Sequence, residues 1–313
     1  MKLQQLRFLV EVQRQGLNVS GAAETLFTSQ PGISKQIKLL EDELGVIIFE
    51  RNGKRLTGVT EAGRRVLEIA ERMLRDAQNM KRVATDYAQE SEGTLTLATT
   101  HTQARYVLPP VISDFVRLHP GIKLQVHQGS PTQVVDWLRK GEADLGIATE
   151  AIDAIPELVA LPCYQWSHCI VVPAAHALAG RGPVALSALA EFPLITYDAT
   201  FTGRSRIDRA FDRHGLKPNV MLTAIDSDVI KTYVGLGLGV GIIAEMAYDA
   251  QRDANLVALP AAHLFEMNTT RIGFRRDLWL RTCDFDFLVR LAPTLTREMV
   301  MAALRGGGHD EGL

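Results

Sequence analysis

SQPGISKQIKLLEDELG, residues 29–45, opens on a serine, puts a proline two positions later and then repeats apolar side chains at Ile33, Ile37, Leu40 and Leu44. Ser29 suits a helix N-cap, and Pro31 sits in the first turn, where its missing N–H costs little. The apolar stripe predicts one buried helix face. Gln30, Ser34, Lys35 and Lys38 remain on or near the other face. Just upstream, NVSGAAETLF (18–27) predicts a short helix capped by Ser20, with Ala22, Ala23 and Leu26 inward. Further upstream, Leu3, Leu6, Leu9, Val10 and Val12 predict a first helix over 3–14. Two short helices around a tight break make a helix-turn-helix, whose second helix would enter a major groove. Gln can read adenine, and Lys can reach guanine or phosphate. The same pattern also fits a generic three-helix bundle with a polar face.

Downstream, VIIFERNGKRLTGVT (46–60) predicts two short strands around the turn NGK, with Arg51, Lys54 and Arg55 at or near the tip. A basic hairpin beside a recognition helix is a winged helix, and its wing contacts phosphate or the minor groove. Residues 1–92 carry 14 basic and 13 acidic side chains, so the positive footprint is local. A long helix follows from Thr60 to about Tyr87. Val66, Ala70, Met73, Ala77, Met80, Ala84 and Tyr87 recur at spacings of four and three along it. This is a seam for pairing two copies of the helix, or one face packed on its own domain.

The remaining residues alternate strands with helices, which predicts an α/β region with mostly parallel sheets. Ligands in such sheets bind at the carboxyl ends of strands. Three such ends carry threonines: TLTLATTHTQAR (94–105), GIATE (146–150) and ITYDATFTGRS (195–205). Thr100, Thr102 and Gln103 can donate hydrogen bonds, and the free N–H groups of a following helix add to them. Together they form an anion site without a full positive charge. Plain helix capping explains each threonine singly; convergence of the three segments would need a ligand.

Composition narrows the classes. The chain has 313 residues, 46% of them apolar, and a net charge of −2. Three cysteines, none in a CxxC, give no disulfide scaffold or zinc site. The N-terminus lacks a signal-peptide core and no apolar run is long enough to span a membrane, so a cytoplasmic location is expected. GLGLGVG (235–241) matches neither a dinucleotide fingerprint nor a P-loop and predicts a tight helix-to-strand turn. Asp226 and Asp228 are expected to cap a helix or pair with Lys231 rather than hold a metal. No nucleophile–base pair, carboxylate dyad or metal cluster presents itself, so no enzymatic activity and no cofactor are expected.

The segment AAETLFTSQPGISKQIKLLEDELGVIIFERNGKRLTGVTEAG (22–63) resembles the LysR-type transcriptional regulators, in its SQPGIS and LEDELGVIIF elements above all. TTHTQARYVLP, HQGSPTQV, ATEA, TGRS and DSDVIKTYVGLGLGVGIIA extend the likeness to a subgroup that regulates sulfur assimilation and cysteine biosynthesis. The resemblance implies a winged helix-turn-helix over 1–59 and a linker and dimerisation helix over 60–92. It further implies a two-lobed α/β effector domain shaped like periplasmic binding proteins. One lobe would comprise 93–162 with 268–292, the other 163–267, and 293–313 a C-terminal helix and flexible tail. Ser29, Gln30, Pro31, Ser34, Lys35, Lys38, Arg51, Lys54 and Arg55 would contact double-stranded promoter DNA. Thr100, Thr102, Gln103, Thr149 and Thr202 would line a cleft for N-acetylserine, sulfate or a related anion, with Trp166 as a wall residue. A homodimer through the linker helix, a homotetramer, and RNA polymerase at activated promoters are the implied partners.

Overall fold

A computed structural model describes residues 1–306 apart from 54, 89–91, 154, 181 and 202. It divides into two compact units, residues 1–84 and 85–313.

The first unit holds α1 (Leu3–Arg14), α2 (Val19–Thr25), α3 (Gln30–Leu44), β1 (Phe49–Asn52), β2 (Arg55–Val59) and most of α4 (Glu61–Tyr87). Ser29 caps α3 as its position predicts, its Oγ accepting from the Gly32 N–H at 3.2 Å. The cap of α2 is Asn18 rather than Ser20. Its Oδ1 accepts from the Gly21 N–H at 3.1 Å, which starts the helix earlier than Ser20 would. Ile33, Ile37 and Leu40 are buried, but Leu44 is exposed. Glu41 is buried in its neighbourhood instead. Its Oε1 accepts from the Ile48 and Phe49 N–H groups at 2.9 and 3.1 Å, and its Oε2 pairs with Arg51 at 3.1 Å. A carboxylate thus closes the α3–β1 connection, where two backbone donors would otherwise lie unpaired. β1 and β2 form the antiparallel wing.

The second unit contains two five-stranded sheets. Its chain runs β3 (Gly93–Thr99), a π-helical turn (Gln103–Val107), α5 (Leu108–Leu118), β4 (Ile122–Gln128), α6 (Pro131–Lys140), β5 (Leu145–Ala148) and β6 (Leu158–Trp166). It continues through β7 (His168–Pro173), α7 (Leu186–Ala190), β8 (Leu194–Tyr197), α8 (Arg204–Arg213), β9 (Val220–Ala224), α9 (Ser227–Gly235) and β10 (Val240–Ala244). After β11 (Leu256–Pro260) and β12 (Asn268–Arg275) come α10 (Thr282–Leu291) and α11 (Arg297–Leu304). The first sheet has the order β4-β3-β5-β12-β6, with β3 parallel to β4 and β5, and β12 antiparallel to β5 and β6. The second has the order β11-β7-β10-β8-β9, with β8 parallel to β9 and β10.

Each sheet is covered by apolar residues on both faces. Leu95, Leu97, Phe115, Phe274 and Phe287 pack on one side of the first sheet, and Val134, Leu138 and Ala148 on the other. In the second sheet, Ile170, Leu194, Phe211 and Ile242 fill one layer, and Val171, Ile195, Tyr197 and Ile230 the other. The chain crosses between sheets at Ser167. The expected crossing after residue 162 falls later because β6 keeps its pairing with β12 as far as Trp166 opposite Asn268. The GLGLGVG stretch is the turn from α9 into β10, with Gly237 at φ +76° where an L side chain would be strained. Residues 307–313, expected as a flexible tail, lie outside the described residues. No described helix is long and apolar enough to cross a membrane.

Candidate functional site

The carboxyl ends of β3 and β5 bring the two threonine segments of the first lobe together. Thr100, Thr102, Gln103 and Thr149 are all buried. Polar groups in such a place need partners, and most have them. The Gln103 Nε2 donates to the Thr270 Oγ1 at 3.4 Å, and its Oε1 accepts from the Tyr164 hydroxyl. The Thr149 and Thr270 hydroxyls lie 3.4 Å apart, and the Trp166 indole N–H donates to Thr270 at 3.1 Å. Thr102 reaches across to the second lobe, where its hydroxyl lies against that of Tyr197. Tyr197 shares a 2.6 Å hydrogen bond with Ser227 and accepts from the Ala244 N–H at 2.9 Å. Burial pushes the Tyr197 phenol up to about 12, so it stays a neutral donor.

The Thr100 hydroxyl stands apart. It is buried and has no hydrogen-bond partner. A hydroxyl left so forfeits the stabilisation its neighbours obtain, and capping, the bland explanation for a threonine here, does not describe it. Among the described residues, two further buried side-chain atoms share this condition, the His168 Nε2 and the Asn268 Oδ1. Both face Gly203, at φ +75°, where a Cβ would come within 2.5 Å of the His168 Nε2. Burial pushes the His168 imidazole down to about 3, which leaves it neutral. The Gly203 N–H itself donates to the Glu150 carboxylate at 2.9 Å, a second tie between lobes. Thr202, the remaining threonine expected in the cleft, lies outside the described residues.

The π-helical turn supplies a third tie. Tyr106 donates its hydroxyl to the Asp228 Oδ1 at 2.8 Å, and Arg105 pairs with the other oxygen. Lys231 lies 3.4 Å from the same carboxylate and bonds Asp253 at 3.0 Å. Burial alone would raise the Asp228 carboxyl, yet the Tyr106 hydroxyl and the Lys231 and Arg105 charges hold it below its ordinary value. Asp226 caps α9, accepting from the Val229 N–H at 2.9 Å. His101, Asp226 and Asp228 sit close enough to share an ion. Asp228 is already neutralised by two cations, and that leaves a metal little to gain.

Among residues expected in the site, Gln103, Thr149 and Trp166 thus meet at one point, with Thr100 and Thr102 beside it in the chain. Thr270 and Tyr164, on which they converge, are not among the residues the sequence singles out. The alternation of NTTRIGFR (268–275) is the available signal, since it puts Thr270 on the opposite face from Thr269. Cys163 and Cys169 are buried thiols, each pushed up to about 12 by that burial, which removes thiolate chemistry.

On the winged unit, Gln30, Pro31, Lys35 and Lys38 are exposed along α3, and Ser34 is half-buried. The Gln30 amide donates to the Ser34 hydroxyl at 3.4 Å. Arg55 and Gln30 line one groove between the wing and the α1–α2 turn. Arg51 is exposed and pairs through one guanidinium nitrogen with Glu41 at 3.1 Å. Lys54 lies outside the described residues. The seam of α4 divides. Val66, Ala70 and Met73 pack into the winged unit's core, whereas Met80 and Tyr87 are exposed.

These features agree with known proteins. Residues 3–64 match the bacterial regulatory helix-turn-helix family of the LysR type, and residues 88–282 match the LysR substrate binding domain. The chain is 54% identical over 97% of its length, and 99% of the relative's, to the HTH-type transcriptional regulator SsuR of Burkholderia cenocepacia. It is 51% identical to CysB of that organism, over 98% of each chain. To Cbl of Escherichia coli it is 48% identical, over 92% of this chain and 91% of that one. The crystal structure of the cofactor-binding domain of Cbl superposes with a TM-score of 0.66 at 45% identity, covering 69% of this chain and 94% of that one. Full-length OxyR from Pseudomonas aeruginosa gives a TM-score of 0.69 at 24% identity, over 95% and 99% of the two chains, a likeness of fold. With reader, linker helix and two-lobed effector domain in this order, and with SsuR, CysB and Cbl among its relatives, the chain belongs to the LysR family of DNA-binding transcriptional regulators.

Proposed function

We propose that this regulator controls sulfur-assimilation and cysteine-biosynthesis genes in response to N-acetylserine, sulfate or a related small anion bound between the two lobes. The observation that carries the reading is the partnerless buried hydroxyl of Thr100 beside a cluster of uncharged donors from four separate strands or turns. Neutral donors can hold an anion when several point at it together. Thr102, Thr149, Gln103 and Trp166 would contribute to this cleft, with Thr202 completing it. A ligand shifts the lobes only if it binds their two arrangements unequally. Thr102, Glu150, Arg105 and Tyr106 all reach the second lobe, so a ligand touching Thr100–Gln103 has a direct lever on that equilibrium. The long helix would transmit it to paired DNA-reading heads, in a homodimer or homotetramer that recruits RNA polymerase at activated promoters.

The decisive experiment combines calorimetric titration of the full chain by N-acetylserine and by sulfate with gel-shift assays on sulfur-assimilation promoters. Binding with a ligand-dependent change in the DNA complexes is expected; no change with either compound sinks the reading. A second reading, a regulator of sulfate-starvation genes in the manner of Cbl, draws on identity to Cbl comparable with that to CysB of Haemophilus influenzae, 48% in each case. A preference for sulfate over N-acetylserine would favour it.

A further inference from the structure

We propose that Thr270 is the positioning residue of the effector cleft: by accepting from Trp166 and Gln103 it leaves the Thr149 proton free for a bound anion. This rests on the cleft being the effector site, as proposed above.

A threonine hydroxyl has two acceptor positions and one proton, whereas an indole N–H and an amide NH₂ can only donate. Thr270 is completely buried, so no solvent intervenes. The Trp166 Nε1 takes one acceptor position at 3.1 Å and the Gln103 Nε2 takes the other at 3.4 Å. The Gln103 amide has its orientation fixed from the far side, where its Oε1 receives the Tyr164 proton. Both acceptor positions of Thr270 are therefore filled. Its own proton must go to Thr149, 3.4 Å away, or to the nearby Tyr164 oxygen. In either case Thr149 cannot donate to Thr270. Its hydrogen must point elsewhere, and an anion, which only accepts, is a fitting recipient. Gln103, Trp166 and Thr149 come from a turn, a strand and the bend after another strand, far apart in the chain, and one hydroxyl sets the hydrogen-bond direction of all three.

The test is a crossed pair of variants in the full chain, titrated calorimetrically with sodium sulfate. Thr270→Val keeps the shape and loses the hydroxyl; Thr270→Ser keeps the hydroxyl and loses a methyl. In T270V, Trp166 and Gln103 lose the acceptor that orients them and Thr149 loses the partner that fixes its rotation, which predicts sulfate affinity at least about tenfold weaker in T270V, and within about threefold of the parent in T270S. A packing role predicts the reverse order. Parent-like affinity in T270V, or an equal loss in T270S, overturns the inference while leaving the effector reading intact. If the parent chain binds neither sulfate nor N-acetylserine, the effector reading fails and this inference with it. Should T270V not fold, Thr270→Ala replaces it. Ala and Ser both shorten the side chain and differ in the hydroxyl, so equal affinities overturn the inference.

Discussion

The Tyr106 hydroxyl in the first lobe and the Asp228 carboxylate in the second are joined by a 2.8 Å hydrogen bond, and Arg105 and Lys231 neutralise the same carboxylate. Asp228 thus serves three partners at once. Because its carboxyl is held below the ordinary value, it stabilises the folded state above the unfolded value near 4, and this is lost as pH falls through the lower folded value. About a third of the side chain is exposed, and solvent screening limits the contribution to about 1 kcal/mol. Asp228→Asn should therefore lower the unfolding temperature at pH 7, and the gap to the parent should narrow as pH falls below 4. A constant gap across that range would mean the charge is not the cause.

Thr100→Val separates function from structure. It deletes a buried hydroxyl that has no partner, so the unfolding midpoint should hold or rise. Affinity for sulfate or N-acetylserine should drop by about tenfold, the worth of one hydrogen bond to an anion. A destabilised variant with unchanged ligand affinity would make Thr100 structural.

His168 makes its own pH signature. Folding keeps the imidazole neutral down to about 3, while the unfolded chain takes up a proton near 6.5. Stability must then fall as pH drops from 7 toward 3, by about 2 kcal/mol on reaching pH 5. Denaturant titrations at the two pH values, run beside His168→Gln, measure the difference. If the variant loses as much as the parent, another group is responsible.

The proposed DNA-reading face is partly legible in the sequence. Ser29, Pro31 and the Ile33–Ile37–Leu40 stripe fix α3 through capping and period, both local properties. The pairing of Arg51 with Glu41 is not legible there, because Glu41 sits ten residues away on a helix turn that the stripe alone would leave outward. The same holds in the cleft. Thr100–Gln103 and Thr149 announce themselves as polar residues at strand ends, but Thr270 lies 121 residues from Thr149 and only the pairing of β12 with β5 and β6 brings it there.

The split environment of the two wing arginines yields a contrast. Arg55→Ala should weaken promoter binding and reduce the salt dependence by about one released counterion. Arg51→Ala should leave the salt slope nearly unchanged and act on the stability of the winged unit through Glu41. Fluorescence anisotropy over a range of salt concentrations distinguishes them, and equal slopes would place both guanidinium groups on phosphate.

On α4 the contrast is between Ala70 and Met80. Ala70 is buried in the winged unit, and Ala70→Glu should cost about 3 kcal/mol or more as an unpaired buried charge. Met80 is 74% exposed, and Met80→Glu should leave folding intact while weakening self-association, measured by sedimentation. Unaltered association would confine the seam to its packed first half.

The turn over Gln103–Val107 is wound wider than an α-helix, so it stores an extra residue between the cleft and α5. Gln103 begins that turn, and Arg105 and Tyr106 lie within it. Removing one residue there would let the helix close into regular winding, but every side chain upstream would swing by about 100°. Gln103 would then leave Thr270. The chain length of this one turn, as much as the identity of its residues, is what keeps Gln103 at Thr270 and Tyr106 at Asp228 in register.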